Sequence, residues 1–412
     1  MRIVHLWSSR TLVPTHALTM PRRRRSGAAA LLSCALLSVG IAAAAAQSNA
    51  PVESDRDPTG AGWSPLGSGI LDGVGNSVQA VITYGNGLVA AGNFESAGGI
   101  SVSNVASWDG TEWSSLGEGV AGGSAVALGV YDGELYAGGL FQMAGGQVAS
   151  RIAKWDGTQW SALGDGADAA VRAFVVYEGE LIVGGEFTTI GGIAAQRIAK
   201  WNGTAWSTLG SGVMDAVYSG TVESLVVYNN ELVVGGLFDH AGGVSANNVA
   251  RWSGSNWTAL GAGVNGAAFN RHVYALGIHD EALYAGGSFT VAGGAPANHV
   301  ARWNGTTWSV LGEGVDGAVR SLATYGGQLA AGGVFHTAGG SSAERIARWD
   351  GTDWSAFGTG MDDIVSSLAV FQGRLVAGGL YTQAGGVATN FIAAWGDGAA
   401  DLVFRSGFEP EQ

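Results

Sequence analysis

The chain has 412 residues, 70 of them glycine and only 7 proline, with 47% hydrophobic residues that include 15 Trp, 13 Phe and 10 Tyr. Glycine is far above its usual share of roughly 7%, yet the scarcity of proline excludes a collagen and the apolar content excludes wholesale disorder. A net charge of −13 with 13% charged residues repels polyanions and excludes a nucleic-acid binder.

The first segment is a leader. Pro21-Arg22-Arg23-Arg24-Arg25 precedes an apolar run from Gly27 to Ala46, and Gln47-Ser48-Asn49-Ala50 follows. A basic stretch, an apolar stretch and a small-residue exit in that order predict a signal peptide over 1–46, cleaved after Ala46, with Met20 as an alternative start. The apolar run is long enough to span a membrane, but its Ala-rich exit favours removal. Cys34, the single cysteine, lies inside it. Leu31-Leu32-Ser33-Cys34 is similar to a lipoprotein box, but apolar Ala35 to Ala46 occupies the place of a polar tether. Cleavage after Ala46 leaves no cysteine, hence no disulfide and no thiolate ligand or nucleophile. It also removes Arg2, Arg10 and Arg22 to Arg25 with no acid, so the remainder is more acidic still. Residues 47–62 read as a linker.

From 63 to 396 the chain repeats itself. One unit reads Glu134-Leu-Tyr-Ala-Gly-Gly-Leu-Phe141, then Ala144-Gly-Gly146, then Arg151-Ile-Ala-Lys-Trp-Asp-Gly-Thr-Gln-Trp-Ser-Ala-Leu-Gly164. The aromatic after the glycine pair recurs at Phe94, Phe141, Phe187, Phe238, Phe289, Phe335 and Tyr381, which makes seven copies. Each copy holds four strand signals. Val126 to Tyr131 ends in Asp-Gly and leads into Leu135 to Phe141, a strand apolar or small on both faces. Trp155 and Trp160 then flank Asp156-Gly157-Thr158, a hairpin signal that puts both rings on one face whether the loop has two or four residues.

A four-stranded unit that buries both faces on its neighbours is a propeller blade. The ends of the array complement each other: Trp63-Ser-Pro-Leu-Gly67 is a lone fourth strand and Phe391-Ile-Ala-Ala-Trp395 a lone third. The expected fold is therefore an all-β, seven-bladed β-propeller of four-stranded blades, closed by the N-terminal strand around Trp63 pairing with the last blade around Trp395. An open solenoid would not need complementary half-repeats. The remaining 397–412 read as a tail.

These motifs resemble the kelch and galactose-oxidase-like propellers. The Gly-Gly-x-Phe and Trp-x-x-Leu-Gly elements are closest to those of bacterial secreted kelch-like proteins and of the yeast cortical polarity marker used in bud-site selection. The resemblance spans about Trp63 to Trp395 and implies the fold. The copper radical site of galactose oxidase needs a Tyr–Cys crosslink, which a chain without Cys34 cannot make. Trp-Asp-Gly-Thr-x-Trp is also similar to the sialidase Asp-box, one residue short, and that box is a structural turn.

Residue types present in every copy serve the scaffold: the glycine pairs, the Asp-Gly and Asn-Gly turns, and Lys154, Lys200, Arg251, Arg302 and Arg348, expected over neighbouring rings as cation–π partners. The sequons at Asn202, Asn256 and Asn304 are turn variants. Copies differ in the loops that join them. Two of these carry five extra residues, Val213 to Thr221 and Val264 to His272. Ring geometry makes them neighbours on one face, where the loops between second and third strands add Asp239, His240 and His336. Asp215, Tyr218, Asp239, His240, Asn265, Phe269, Asn270, Arg271 and His272 form the candidate binding patch, since aromatic, Arg and His side chains on protruding loops suit recognition; the alternative is tolerated surface insertions. Asp168, Asp316 and Asp362 occupy matching loop positions and are either Ca²⁺ ligands converging near the axis or turn formers bonding their own backbone. No Ser, His and Asp set stands out from the repeats.

The expected function is a secreted, non-catalytic, monomeric interaction module outside a bacterial cytoplasm, with a protein or glycan partner. A carbohydrate-active hydrolase or lyase, or a structural adhesion module, are the alternatives.

Overall fold

The computed structural model describes residues 60–71, 76–217, 220–267 and 270–396. The expected signal peptide, most of the linker and the tail lie outside them. Every regular element among the described residues is a β-strand or bridge; there is no helix.

The strands form seven four-stranded antiparallel sheets, together with smaller ribbons. One sheet shows how sequence makes the unit. Ala125–Tyr131 and Glu134–Gly139 are joined by Asp132-Gly133, both at positive φ, 51° and 76°. Tyr131 pairs directly with Glu134, so this is a two-residue turn of the kind whose twist suits a hairpin. Ile152–Trp155 and Trp160–Ala162 complete the sheet. Trp155 pairs with Trp160, so the loop between them has four residues. The Asp156 carboxylate closes that loop by accepting from the Thr158 and Gln159 amides at 2.8 Å and from the Thr158 hydroxyl at 2.7 Å. These bonds pull its pKa down to about 2.

The last sheet draws on both ends of the chain. Val365–Phe371, Arg374–Gly379 and Ile392–Gly396 are followed, at the edge, by Gly62–Pro65, with Trp63 opposite Trp395. The first strand of each sheet packs against the first strand of the next, and Val365–Phe371 packs against Ser77–Tyr84 of the first sheet in the same way.

The glycine doublet has a separate reason for each member. A Cβ at Gly138 would stand 2.5 Å from Val171 Cγ1 of the following sheet, and one at Gly184 would stand 2.3 Å from Val222 Cγ1. At the second position the obstacle is internal: a Cβ at Gly139 would lie 2.2 Å from the Ser124 carbonyl oxygen. Glycine therefore lets each sheet seat a valine of its neighbour on one side and a bent partner strand on the other. The first sheet solves the same problem differently. Ala91 replaces the first glycine, and Ala125 takes the place of the facing valine within one core cluster, a swap that keeps volume roughly constant.

The second tryptophan of each hairpin joins successive sheets. Trp113, Trp160, Trp257, Trp308 and Trp354 donate from Nε1 to the carbonyls of Leu66, Leu116, Leu209, Leu260 and Leu311 at 2.8–3.0 Å. Trp63 makes the equivalent bond to Phe357 O at 3.0 Å. Trp206 is the exception; its Nε1 is buried without a partner.

At the start of each first strand the incoming loop pairs with the hairpin between the second and third strands. Val120–Ala121 pairs with Met143–Ala144, which pairs in turn with Gln147–Val148. The same ribbon recurs with full strands at Ile70–Leu71, Val213–Met214 and Val264–Asn265, and as single bridges Ala167 to Ile190, Val315 to Ala338 and Met361 to Ala384.

Candidate functional site

Each first strand carries a bulge just after it begins. The register slips between Val78 and Ala80, Ala125 and Ala127, Val171 and Ala173, Val222 and Ser224, Val273 and Ala275, Val319 and Ser321, and Val365 and Ser367. A bulge leaves its extra residue unpaired and re-aims the side chain. The seven extra residues are Gln79, Val126, Arg172, Glu223, Tyr274, Arg320 and Ser366, and all of them line one cavity of about 300 Å³ shared by the seven first strands. Three serines next to the bulges fasten the strands together. Ser224 Oγ accepts from Leu276 N at 2.9 Å, Ser321 Oγ from Leu368 N at 2.9 Å, and Ser367 Oγ from Val81 N at 3.1 Å.

The two cavity arginines are held differently. Arg172 donates from Nε to Glu186 at 2.7 Å and lies 3.7 Å from Glu223. Burial opposes its charge, but Glu223 and Glu186 outweigh burial and raise its pKa. Glu223 also accepts from the Thr221 hydroxyl at 3.0 Å. Arg320 is exposed and lies over the Tyr274 ring, 4.9 Å from its centroid. Tyr274 is stacked in turn on His272, with centroids 5.2 Å apart and planes inclined by 10°.

The two long loops meet. Arg271 Nη2 donates to Asp215 Oδ2 at 2.7 Å, with the Asp215 side chain fully buried. Asp239 caps the first loop by accepting from Ala216 N at 3.1 Å, and its Oδ1 lies 2.7 Å from His240 Nδ1. Burial would raise the Asp239 pKa, but His240, the Ala216 amide and Arg271 together hold it below the ordinary value. Asp215, Arg271, Asp239, His240 and His272 thus share one region, bridged to the cavity through Tyr274. Asn265 and Asn270 make local bonds, Asn265 Oδ1 accepting from Gly266 N and Asn270 N donating to Ala267 O. Tyr218 and Phe269 lie outside the described residues.

Asp168, Asp316 and Asp362 bond beyond their own turns. Each carboxylate reaches across its ribbon to the hairpin about twenty residues on. Asp168 accepts from Thr188 N and Thr189 N, Asp316 from His336 N and Thr337 N, and Asp362 from Thr382 N and Gln383 N, at 2.7–3.0 Å. Burial pushes all three upward in pKa, and these bonds more than reverse it. Among the described residues no three His, Cys, Asp or Glu side chains come together as a metal cage.

The cations before the first tryptophans mostly form ion pairs rather than cation–π contacts. Lys154 pairs with Glu134 at 2.8 Å, Lys200 with Glu180 at 2.6 Å and Arg251 with Glu231 at 2.9 Å, each across adjacent strands. Arg348 does lie over a ring, that of Phe357 at 5.2 Å.

A family described as a domain of unknown function (DUF5122) beta-propeller matches residues 229–251. That stretch runs along the second and third strands of one sheet. The architecture is shared by the WD40 repeats of RRP9, 13% identical with a TM-score of 0.50, covering 80% of this chain and 98% of that one. The structure of U3-55K is similar to the same degree, 13% identical with a TM-score of 0.50, covering 81% of this chain and 99% of that one. The fold is a β-propeller. Among curated proteins none matches the sequence.

The cavity residues escaped the sequence reading although a signal was present. At its bulge each first strand reads Val or Ala, then a residue of any kind, then Ala or Ser: Val171-Arg172-Ala173, Val222-Glu223-Ser224, Val273-Tyr274-Ala275. A variable position between constrained neighbours marks a side chain that the scaffold does not use.

Proposed function

We propose that this propeller is a secreted, non-catalytic interaction module that binds a protein partner through its ribbon end. In this reading the seven four-stranded sheets are the blades of one closed ring, sealed by Gly62–Pro65 joining the last sheet. The pairing of Trp63 with Trp395, and the packing of Val365–Phe371 on Ser77–Tyr84, support the ring. A closed ring brings all seven ribbons to one face.

The observation that carries the proposal is where apolar side chains meet solvent. Most of the large hydrophobics exposed among the described residues sit on the ribbons and their loops: Ile100, Leu140, Met143, Val148, Met214, Val217, Val244, Leu380 and Val387. Val148 and Val217 are 78% and 76% exposed. A rim of such residues around charged loops suits a protein partner better than a glycan. The region joining Asp215, Arg271, Asp239, His240 and His272, with Asn265, Asn270, Tyr218 and Phe269 on the same loops, is the polar part of that surface. Glycoside hydrolysis calls for two opposed carboxylic acids. The cavity lining contains one, Glu223, beside Arg172.

Affinity capture with matched variants tests the proposal. Met143→Ser with Val148→Ser and Val244→Ser alters the ribbon end; Val176→Ser with Ile278→Ser and Val370→Ser alters exposed valines and isoleucine elsewhere on the first strands. The partner retained by the wild type should be lost by the first triple variant and kept by the second. Equal retention by both would refute the proposal.

A further inference from the structure

We infer that the axial cavity is a binding site for a small carboxylate, clasped by Arg320. This site is separate from the ribbon face and does not depend on the partner proposed there.

The two cavity arginines carry the argument through their difference. The charge of Arg172 is matched by Glu186 and Glu223. Arg320 has no carboxylate partner among the described residues, and its guanidinium rests on the Tyr274 ring 4.9 Å away. Tyr274 is itself fixed by stacking on His272. An exposed guanidinium resting over an aromatic ring, with no carboxylate partner, leaves N–H donors for a planar, bidentate acceptor. In a chain with 33 acidic and 20 basic residues, a cation in a cavity without an acidic partner is not the residue that solubility alone would place there.

The rest of the wall supplies donors. Ser321 and Ser367 each accept a backbone N–H through Oγ, so each hydroxyl keeps its own proton to donate. Ser366 adds a further hydroxyl to the lining. A guanidinium fork beside hydroxyl donors asks for a ligand that only accepts hydrogen bonds, which is a carboxylate. Glu223 in the same cavity disfavours a dianion such as phosphate. The volume, about 300 Å³, suits a ligand of one ring or a short chain.

Ligand-observed NMR with wild type, Arg320→Gln and Arg348→Gln tests the site. The probes are D-glucuronate and butyrate, with D-glucose and inorganic phosphate for comparison. Wild type should bind at least one of the two carboxylates and do so more tightly than glucose or phosphate. Glucuronate alone would identify an acidic sugar as the ligand; butyrate as well would show that the carboxylate suffices. Arg320→Gln should weaken binding by roughly tenfold or more, with an unchanged melting temperature to show that it is folded, while Arg348→Gln, remote from the cavity lining, should bind as wild type. The inference is overturned if neither carboxylate binds at millimolar concentration, if phosphate or glucose binds as tightly, or if Arg320→Gln binds as wild type.

Discussion

Trp63 stands directly across from Trp395 in an antiparallel pair, with ring centroids 5.3 Å apart, although one belongs to the first described strand and the other to the last. The pair reproduces the six internal ones, from Trp108 with Trp113 to Trp349 with Trp354, whose centroids are 5.1–5.6 Å apart. Trp63 is 6% exposed and also holds Phe357 O. Trp63→Ala should therefore cost about 3–5 kcal/mol, as much as Trp113→Ala inside a continuous repeat. Urea unfolding of the two variants gives the comparison. A negligible loss for Trp63→Ala would mean that the first strand is dispensable.

The contact between Arg271 and Asp215 makes a more local prediction. Asp215→Ala leaves a guanidinium, 16% exposed in its side chain, without this carboxylate, and a charge left so costs about 1–3 kcal/mol. The loss should be confined to the loops. Hydrogen exchange should quicken around 213–217 and 264–272, while the strand Leu135 to Gly139 stays protected.

Acid should weaken the ribbons. The folded pKa values of Asp168, Asp316 and Asp362 lie below the ordinary value because hydrogen bonds from the facing hairpin, the Thr188 and Thr382 hydroxyls and backbone amides, outweigh burial. Stabilisation from a lowered aspartate is complete above the unfolded pKa, about 3.9, and is lost as pH falls through the folded one. The contribution of these three aspartates to the urea midpoint should be constant from about pH 7 to 5 and fall away below about pH 4. Asp362→Asn, which keeps an acceptor oxygen but cannot titrate, should make that fall shallower.

Much of this architecture is visible in the sequence because each blade repeats the same physical problem. The glycine doublets, the paired tryptophans and the turn aspartates recur wherever a sheet must seat its neighbour, so periodicity exposes them. Two details could not be read that way. The Asp168 class bonds a hairpin about twenty residues away, a distance that local turn chemistry does not suggest. Arg172, Tyr274 and Arg320 line the cavity because a bulge turns them there; alternation along a strand carries no mark of a bulge, and only the variable position between constrained neighbours hints at it. The loop pair was legible as two insertions of equal length, but its ion pair depends on how adjacent blades pack.

The contact between Gly378 of the last sheet and Val78 of the first tests the closed ring most directly. A Cβ at Gly378 would lie 2.4 Å from Val78 Cγ1, so Gly378→Ala should destabilise by about 1–3 kcal/mol. Val78→Ala makes room for the added methyl, as Ala125 does for Ala91 elsewhere in the fold. The double variant should therefore be more stable than the sum of the single losses, by at least about 0.5 kcal/mol. Strict additivity in urea unfolding would contradict the account, because it would mean that the first and last sheets do not touch.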